Sequence, residues 1–160
     1  MPITYESIGV IHSPYIQLSD MPIQPAGASG VQGSLEIFPG YEPALKDVDG
    51  FSHLILLYHF HRVSQYKLEV IPFLDAEPHG LFATRAPQRP NAIGLSVVRL
   101  LSVQGCILNI ENVDILDGTP LLDIKPYVPG FDGNISGLRL GWLEKKATSA
   151  KSQRSDDRFK

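Results

Sequence analysis

Proline and glycine interrupt this chain so often that few long helices can survive in it. There are thirteen prolines and fourteen glycines in 160 residues. An interior proline removes a helical hydrogen bond and clashes with the preceding turn, and clusters of the two residues cut a chain into short pieces. The pieces here are rich in Val, Ile, Leu and aromatic residues, so residues 7–12, 33–38, 53–61, 67–71, 95–103 and 107–113 read as strands. Gln104-Gly105 between the last two reads as a tight hairpin turn, glycine supplying a positive φ. Residues 43–48 read as one short helical turn. The run 53–61 is nearly all apolar, as expected of a strand central in a barrel or buried on both faces. Short strands without β-α-β alternation predict a mainly β domain, a small closed or partly open β-barrel with few short helices, over residues 1–146. Residues 147–160 are polar without hydrophobic periodicity and read as a disordered basic tail.

Several function classes are excluded early. No apolar run approaches the roughly 20 residues that span a bilayer. The opening Met1-Pro2-Ile3-Thr4-Tyr5-Glu6 lacks a basic region followed by an apolar one, which points to a cytoplasmic protein. Cys106 is the single cysteine, so neither an internal disulfide nor a cysteine-based zinc site can form. Charge is uneven: from Glu144 onward six Lys/Arg face three acidic groups, which leaves eight basic against fourteen acidic groups in the first 143 residues. A body at −6 is not that of a generic nucleic-acid binder, so any RNA contact must come from a local patch, the tail or a partner subunit.

Two segments carry candidate chemistry. In Phe82-Ala83-Thr84-Arg85-Ala86-Pro87-Gln88-Arg89-Pro90-Asn91-Ala92-Ile93-Gly94-Leu95-Ser96, Pro87 and Pro90 stiffen a loop bearing two guanidiniums four residues apart. An arginine fork held in place recognises carboxylate or phosphate best; the alternative is a rigid surface connection with solvated arginines. In Asp114-Ile115-Leu116-Asp117-Gly118-Thr119-Pro120-Leu121-Leu122-Asp123-Ile124-Lys125-Pro126-Tyr127, three carboxylates surround a turn signalled by Asp-Gly. A carboxylate there can accept hydrogen bonds from ribose hydroxyls or a ligand amine, or act as a general base. Equally, Asp114 and Asp117 could cap turns, and Asp123 with Lys125 could form an ordinary ion pair on one face of an extended segment. His59 and His61 would share one side of a strand, with His53 or His79 as a third metal ligand. Nothing fixes that third ligand, and no metal is expected. There is no Gly-x-Gly-x-x-Gly after a strand and no phosphate loop, so a Rossmann-type cofactor site is not expected.

These segments, with the opening Ile8-Gly9-Val10-Ile11-His12-Ser13-Pro14-Tyr15 and the run Gly50-Phe51-Ser52-His53-Leu54, resemble the TsaA-like (TrmO) family in the same order, over residues 5–143. The most specific parts are Arg-Pro-Asn-x-Ile-Gly-Leu-Ser at 89–96 and Asp-Gly-Thr-Pro-x-x-Asp-Ile-Lys-Pro-Tyr at 117–127. The resemblance implies a small β-barrel, commonly a homodimer, that binds S-adenosylmethionine (SAM) and methylates N6 of threonylcarbamoyladenosine beside the tRNA anticodon, with no DNA or membrane partner. It implies a SAM shell of Pro22, Ile23 and Gln24, His61 and Arg62, Arg85, Leu95, and Ile115, Leu116, Asp117 and Gly118. Arg85 suits the SAM carboxylate, Asp117 the ribose hydroxyls or ammonium, and Leu95 with Ile115 an apolar wall for the adenine. Arg89, Asn91 and Lys125 are the expected substrate contacts. The substrate nitrogen is ureido-like and weakly nucleophilic, so a base should help remove its proton; Asp114, Asp117 and the Tyr127 hydroxyl stand open for that role. The family's longer bacterial members continue into a C-terminal domain where this sequence has its basic stretch. Two other readings are a SAM-binding regulatory module without turnover and a small-molecule methyltransferase.

Overall fold

The computed structural model describes residues 1–22 and 25–144. Alternating apolar positions fold six strands into a closed antiparallel barrel. They are β1 (Gly9–His12), β2 (Gln32–Ile37), β3 (His53–His59), β6 (Ile93–Gln104), β7 (Ile107–Glu111) and β8 (Thr119–Pro126). Around the barrel the order is β1-β2-β7-β6-β3-β8, with β8 pairing back onto β1. Two short strands, β4 (Glu69–Val70) and β5 (His79–Gly80), pair outside it. Inward-facing Ile11, Leu35, Leu54, Leu56, Val98, Leu108, Ile110 and Leu121 fill the barrel, as expected when side chains alternate between faces along each strand. Among the described residues no helix is long and apolar enough to cross a membrane.

Five of the predicted strands lie in the barrel or its continuation, with ends shifted by one to two residues; of residues 67–71 only Glu69 and Val70 pair. The apolar run 53–61 ends as a strand at His59, and it alternates: Leu54, Leu56 and Tyr58 are buried, whereas Ile55 and Leu57 are half-buried. The hairpin turn is one residue later than predicted. Gln104 pairs with Ile107, so Gly105 and Cys106 form the loop, with Gly105 at φ +60°. The helical turn expected at 43–48 is two 3-10 turns, Pro39–Leu45 and Val48–Gly50. Strand β8, which closes the barrel, stands where a carboxylate-bearing turn was the main expectation; Pro120 and Pro126 near its ends mask the strand signal. The basic tail predicted at 147–160 lies outside the described residues, as do Ile23 and Gln24.

The pairing defines two ends. The close of β1, β3 and β7 and the start of β2, β6 and β8 share one end, because Ile11 pairs with Thr119, His59 with Ile93 and Gln32 with Glu111. The other end carries the 3-10 turns, the start of β3 and the close of β8. A cavity of about 320 Å³ opens at that second end, lined by Ile37, Tyr41, Leu45, Val48, Leu54 and Ile124 among others.

Candidate functional site

The chemistry-bearing segments gather at the first end. The stretch after β1 and the stretch before β8 are tied together by their backbones: Asp117 N–H donates to Tyr15 O at 2.8 Å and Gly118 N–H to Ile11 O at 2.9 Å. The Ser13 hydroxyl donates to the Ile115 carbonyl, and Ser13 N–H donates to Asp117 Oδ1 at 3.1 Å. The Asp117 carboxylate is thus fixed while remaining close to half exposed. His12 stands beside it, Nδ1 3.4 Å from Asp117 Oδ1 and Nε2 2.8 Å from Glu36 Oε2. Its pKa is raised, chiefly by the Glu36 hydrogen bond, with Asp117 adding and burial opposing.

Beneath this surface a buried hydroxyl chain runs into the barrel wall. Ser96 Oγ donates to Asp114 Oδ1 at 2.6 Å and lies 2.9 Å from the Tyr58 hydroxyl. Burial pushes the Asp114 carboxyl up to about 6, against the opposing hydrogen bonds from Ser96 and its own backbone. Burial, and then the nearby Asp114 charge, raise the Tyr58 phenol; the Ser96 hydrogen bond and Arg85 pull the other way. Gly94 makes the ring's seat. A Cβ there would lie 2.3 Å from Tyr58 Cε2 and 2.8 Å from Phe60 Cζ, so only glycine lets the Tyr58–Phe60 edge-to-face pair, 5.5 Å between centroids, close over the strand.

Arg85 is exposed and, among the described residues, has no hydrogen-bond or ion-pair partner, although its charge reaches Tyr58. Arg89 behaves differently. Its Nη1 donates to the Thr84 and Ala86 carbonyls at 2.9 and 3.1 Å, and its guanidinium lies 5.8 Å from the Phe82 ring centroid. It braces the loop that presents Arg85. In the same loop Gln88 Oε1 is buried with no donor among the described residues. Trp142 closes over this region, its Nε1–H donating to Ala83 O at 2.8 Å and its ring stacked on His79 at 4.6 Å.

Not every expected site residue joins this cluster. Tyr127 lies beyond the eight residues of β8 from Asp117, about 26 Å at the rise of a strand, with its N–H bonded to His53 O at the second end. Within one chain it cannot serve the same site as Asp114 and Asp117. Lys125, near the same end, pairs with Asp123 at 2.7 Å, which is the ordinary ion pair its spacing allowed. Ile115 is turned into the core, so it cannot form an apolar wall with Leu95, which is half exposed on the outer face. The backbone of Ile115 still holds Ser13. His61 follows β3 in a turn, so His59 and His61 do not share a strand face; its pKa is lowered by burial first and then by Arg62 and His59. Among the described residues no cluster of three or more metal-ligating side chains forms. Arg62 and Asn91 are exposed at the rim, and Leu116 and Pro22 are buried.

His12, Tyr58 and Ser96 were not among the expected site residues. His12 and Ser96 each stand inside a recognisable motif. Tyr58 was signalled only by a hydroxyl within an otherwise apolar run, and such a buried hydroxyl needs a partner.

Residues 10–133 match the model of the tRNA-methyltransferase O N-terminal domain. The chain belongs to this family. A probable S-adenosyl-L-methionine-binding protein of Pyrococcus abyssi is 54% identical over 98% of this chain and 85% of its own length. A tRNA (adenine(37)-N6)-methyltransferase of Mus musculus is 39% identical over 79% of this chain, but only 31% of the mouse protein is covered. The crystal structure of TrmO from Pseudomonas aeruginosa superposes with a TM-score of 0.73 at 38% identity, covering 89% of this chain and 63% of that one. The chain therefore spans less than two thirds of the TrmO structure it resembles, and 85% of the Pyrococcus relative.

Proposed function

We propose that this TrmO-family barrel is a SAM-dependent methyltransferase that modifies N6 of the adenosine beside the tRNA anticodon, in its threonylcarbamoyl form, and that it works as a homodimer. The observation that carries the reading is the convergence at one barrel end of an arginine without a partner among the described residues, a fixed half-exposed carboxylate and a buried carboxyl. The name of the mouse relative supports the reaction, and that of the Pyrococcus relative supports the cofactor.

The residues present suit SAM. Among the described residues Arg85 has no partner for its fork, which suits a carboxylate, and Asp117 has only Oδ1 engaged, which leaves Oδ2 to ribose hydroxyls or an ammonium. His61, Arg62, Leu95 and the 115–118 backbone complete the rim. When bound, SAM supplies an electrophilic methyl group on sulfur, so no metal is required. Transfer to N6 would leave a proton that a side chain of this protein would have to accept. Asp114 is the carboxyl whose proton affinity lies near neutral pH, and the Ser96 and Tyr58 hydroxyls give the proton a path towards it. Arg89 fixes the loop so that Arg85 is presented in one geometry, and positioning supplies much of the rate.

The second reading, a SAM-binding module without turnover, is favoured by the name of the Pyrococcus relative, which gives binding and not transfer. Labelled methyl transfer from SAM to bulk tRNA supports the first reading; SAM binding without transfer to tRNA or to RNA-free extract supports the second. The dimer is supported by exposed Phe82, Leu95, Phe131, Ile135 and Leu138. A monomeric mass by light scattering, with full activity, would exclude it.

A further inference from the structure

The imidazole of His12 is held between two carboxylates from different parts of the fold. Glu36 comes from β2, directly beside β1, and Asp117 from the turn that enters β8. Nε2 hydrogen-bonds Glu36 and Nδ1 stands in ion-pair range of Asp117; a neutral imidazole has one N–H, so only the imidazolium turns an N–H towards each carboxylate. Asp117 Oδ1 also receives the Ser13 N–H. The end of β1 therefore takes up one oxygen of Asp117, while Oδ2 has no protein donor among the described residues.

We infer that His12 is a positioning residue: as an imidazolium bridging Glu36 and Asp117 it fixes the ligand-facing carboxylate of Asp117, so cofactor affinity falls as His12 loses its proton. This rests on the assignment of Asp117 to SAM made above. Glu36 and Asp117 are the charged groups acting on the ring; Thr119, opposite neighbouring Ile11 on β8, carries no charge. Both carboxylates favour the proton, so the imidazolium persists above the ordinary histidine range and is lost on the alkaline side. Affinity is therefore full at acidic to neutral pH and declines as pH rises through the His12 transition.

The test is calorimetric titration of the full chain with SAM between about pH 6 and 8.5, the range that brackets a raised histidine. His12→Gln, uncharged, should weaken SAM binding roughly threefold to tenfold below the transition, the equivalent of one net hydrogen bond. Its affinity should then change little with pH. His12→Arg, a permanent cation with a fork for both carboxylates, should keep the affinity and abolish the pH dependence. In an Asp117→Ala background the three residues at position 12 should become equivalent. Nitrogen-15 spectra of the wild-type ring at pH 6.5, the ordinary histidine value, should show both nitrogens mainly protonated. If Asp117→Ala weakens SAM binding but His12→Gln matches wild type at every pH, or if the ring is mainly neutral at pH 6.5, the role of His12 is overturned. If a folded Asp117→Ala protein binds SAM as well as wild type, the assignment of Asp117 falls, and this inference falls with it.

Discussion

Asp114 is a carboxyl that the fold should disfavour at neutral pH, and Asp114→Asn measures by how much. In the unfolded chain its proton leaves near 3.8; in the barrel, burial holds it to about 6. Between those values the folded state keeps a proton that the unfolded state has lost. Stability therefore falls as pH rises through that window, and the full cost is present above it. A difference of about two pH units corresponds to ~3 kcal/mol. Asparagine has the same shape, accepts the Ser96 hydrogen bond and never ionises. Below about pH 4 the two proteins compare a neutral acid with a neutral amide, so their stabilities should be close. By about pH 7.5 the asparagine variant should be more stable by up to ~3 kcal/mol, less whatever its unpartnered amide N–H costs. Urea unfolding followed by far-UV circular dichroism, run on both proteins across this range, reads the difference while other titrating groups cancel. A difference constant to within about 1 kcal/mol across the range would refute the buried-acid argument. The same variant should bind SAM normally and lose methyl transfer if Asp114 takes the substrate proton; a carboxyl kept at such a cost to stability is what a functional site would retain.

Arg85→Ala should weaken SAM binding by about 1.5–3 kcal/mol, the range of a charge-assisted hydrogen bond, and Arg85→Lys should recover only part of that; unchanged affinity by calorimetry in a folded protein removes the assignment. Arg89→Ala removes donors to two carbonyls, so it should lower the melting temperature and raise the protease sensitivity of the 84–92 loop, with methyl transfer falling more than SAM affinity; an unchanged cleavage pattern would show that the brace is dispensable. Gly94→Ala forces a Cβ into the Tyr58 ring and should destabilise by about 1–3 kcal/mol, as overpacking does; a variant as stable as wild type by denaturant unfolding would mean that the ring moves freely.

The barrel was legible because its strands are short, apolar and cleanly separated by glycine and proline. What stayed hidden followed from local signals that tertiary pairing overrode. β8 has prolines at its second and last positions and Asp123 and Lys125 among its apolar residues, so its strand character depends on β1 and β3 on either side of it. The candidate site was half legible for a related reason. Asp114, Asp117, Arg85 and Arg89 fall in segments whose composition is unusual, so they could be found, but composition does not say which way a side chain turns. Arg85 and Arg89 looked alike four residues apart, yet among the described residues one has no partner and the other is spent on the Thr84 and Ala86 carbonyls. Asp114 and Tyr127 looked like alternatives for one role until β8 put them at opposite ends of the barrel. Ser96, by contrast, has no charge to attract notice. It matters because β6 places it beside Tyr58 from β3 and Asp114 from beyond β7, a meeting of residues 38 and 18 positions apart in the chain. Spacing along a sequence predicts neighbours on one strand; a site assembled across strands depends on register, and register here is set by which faces the core buries.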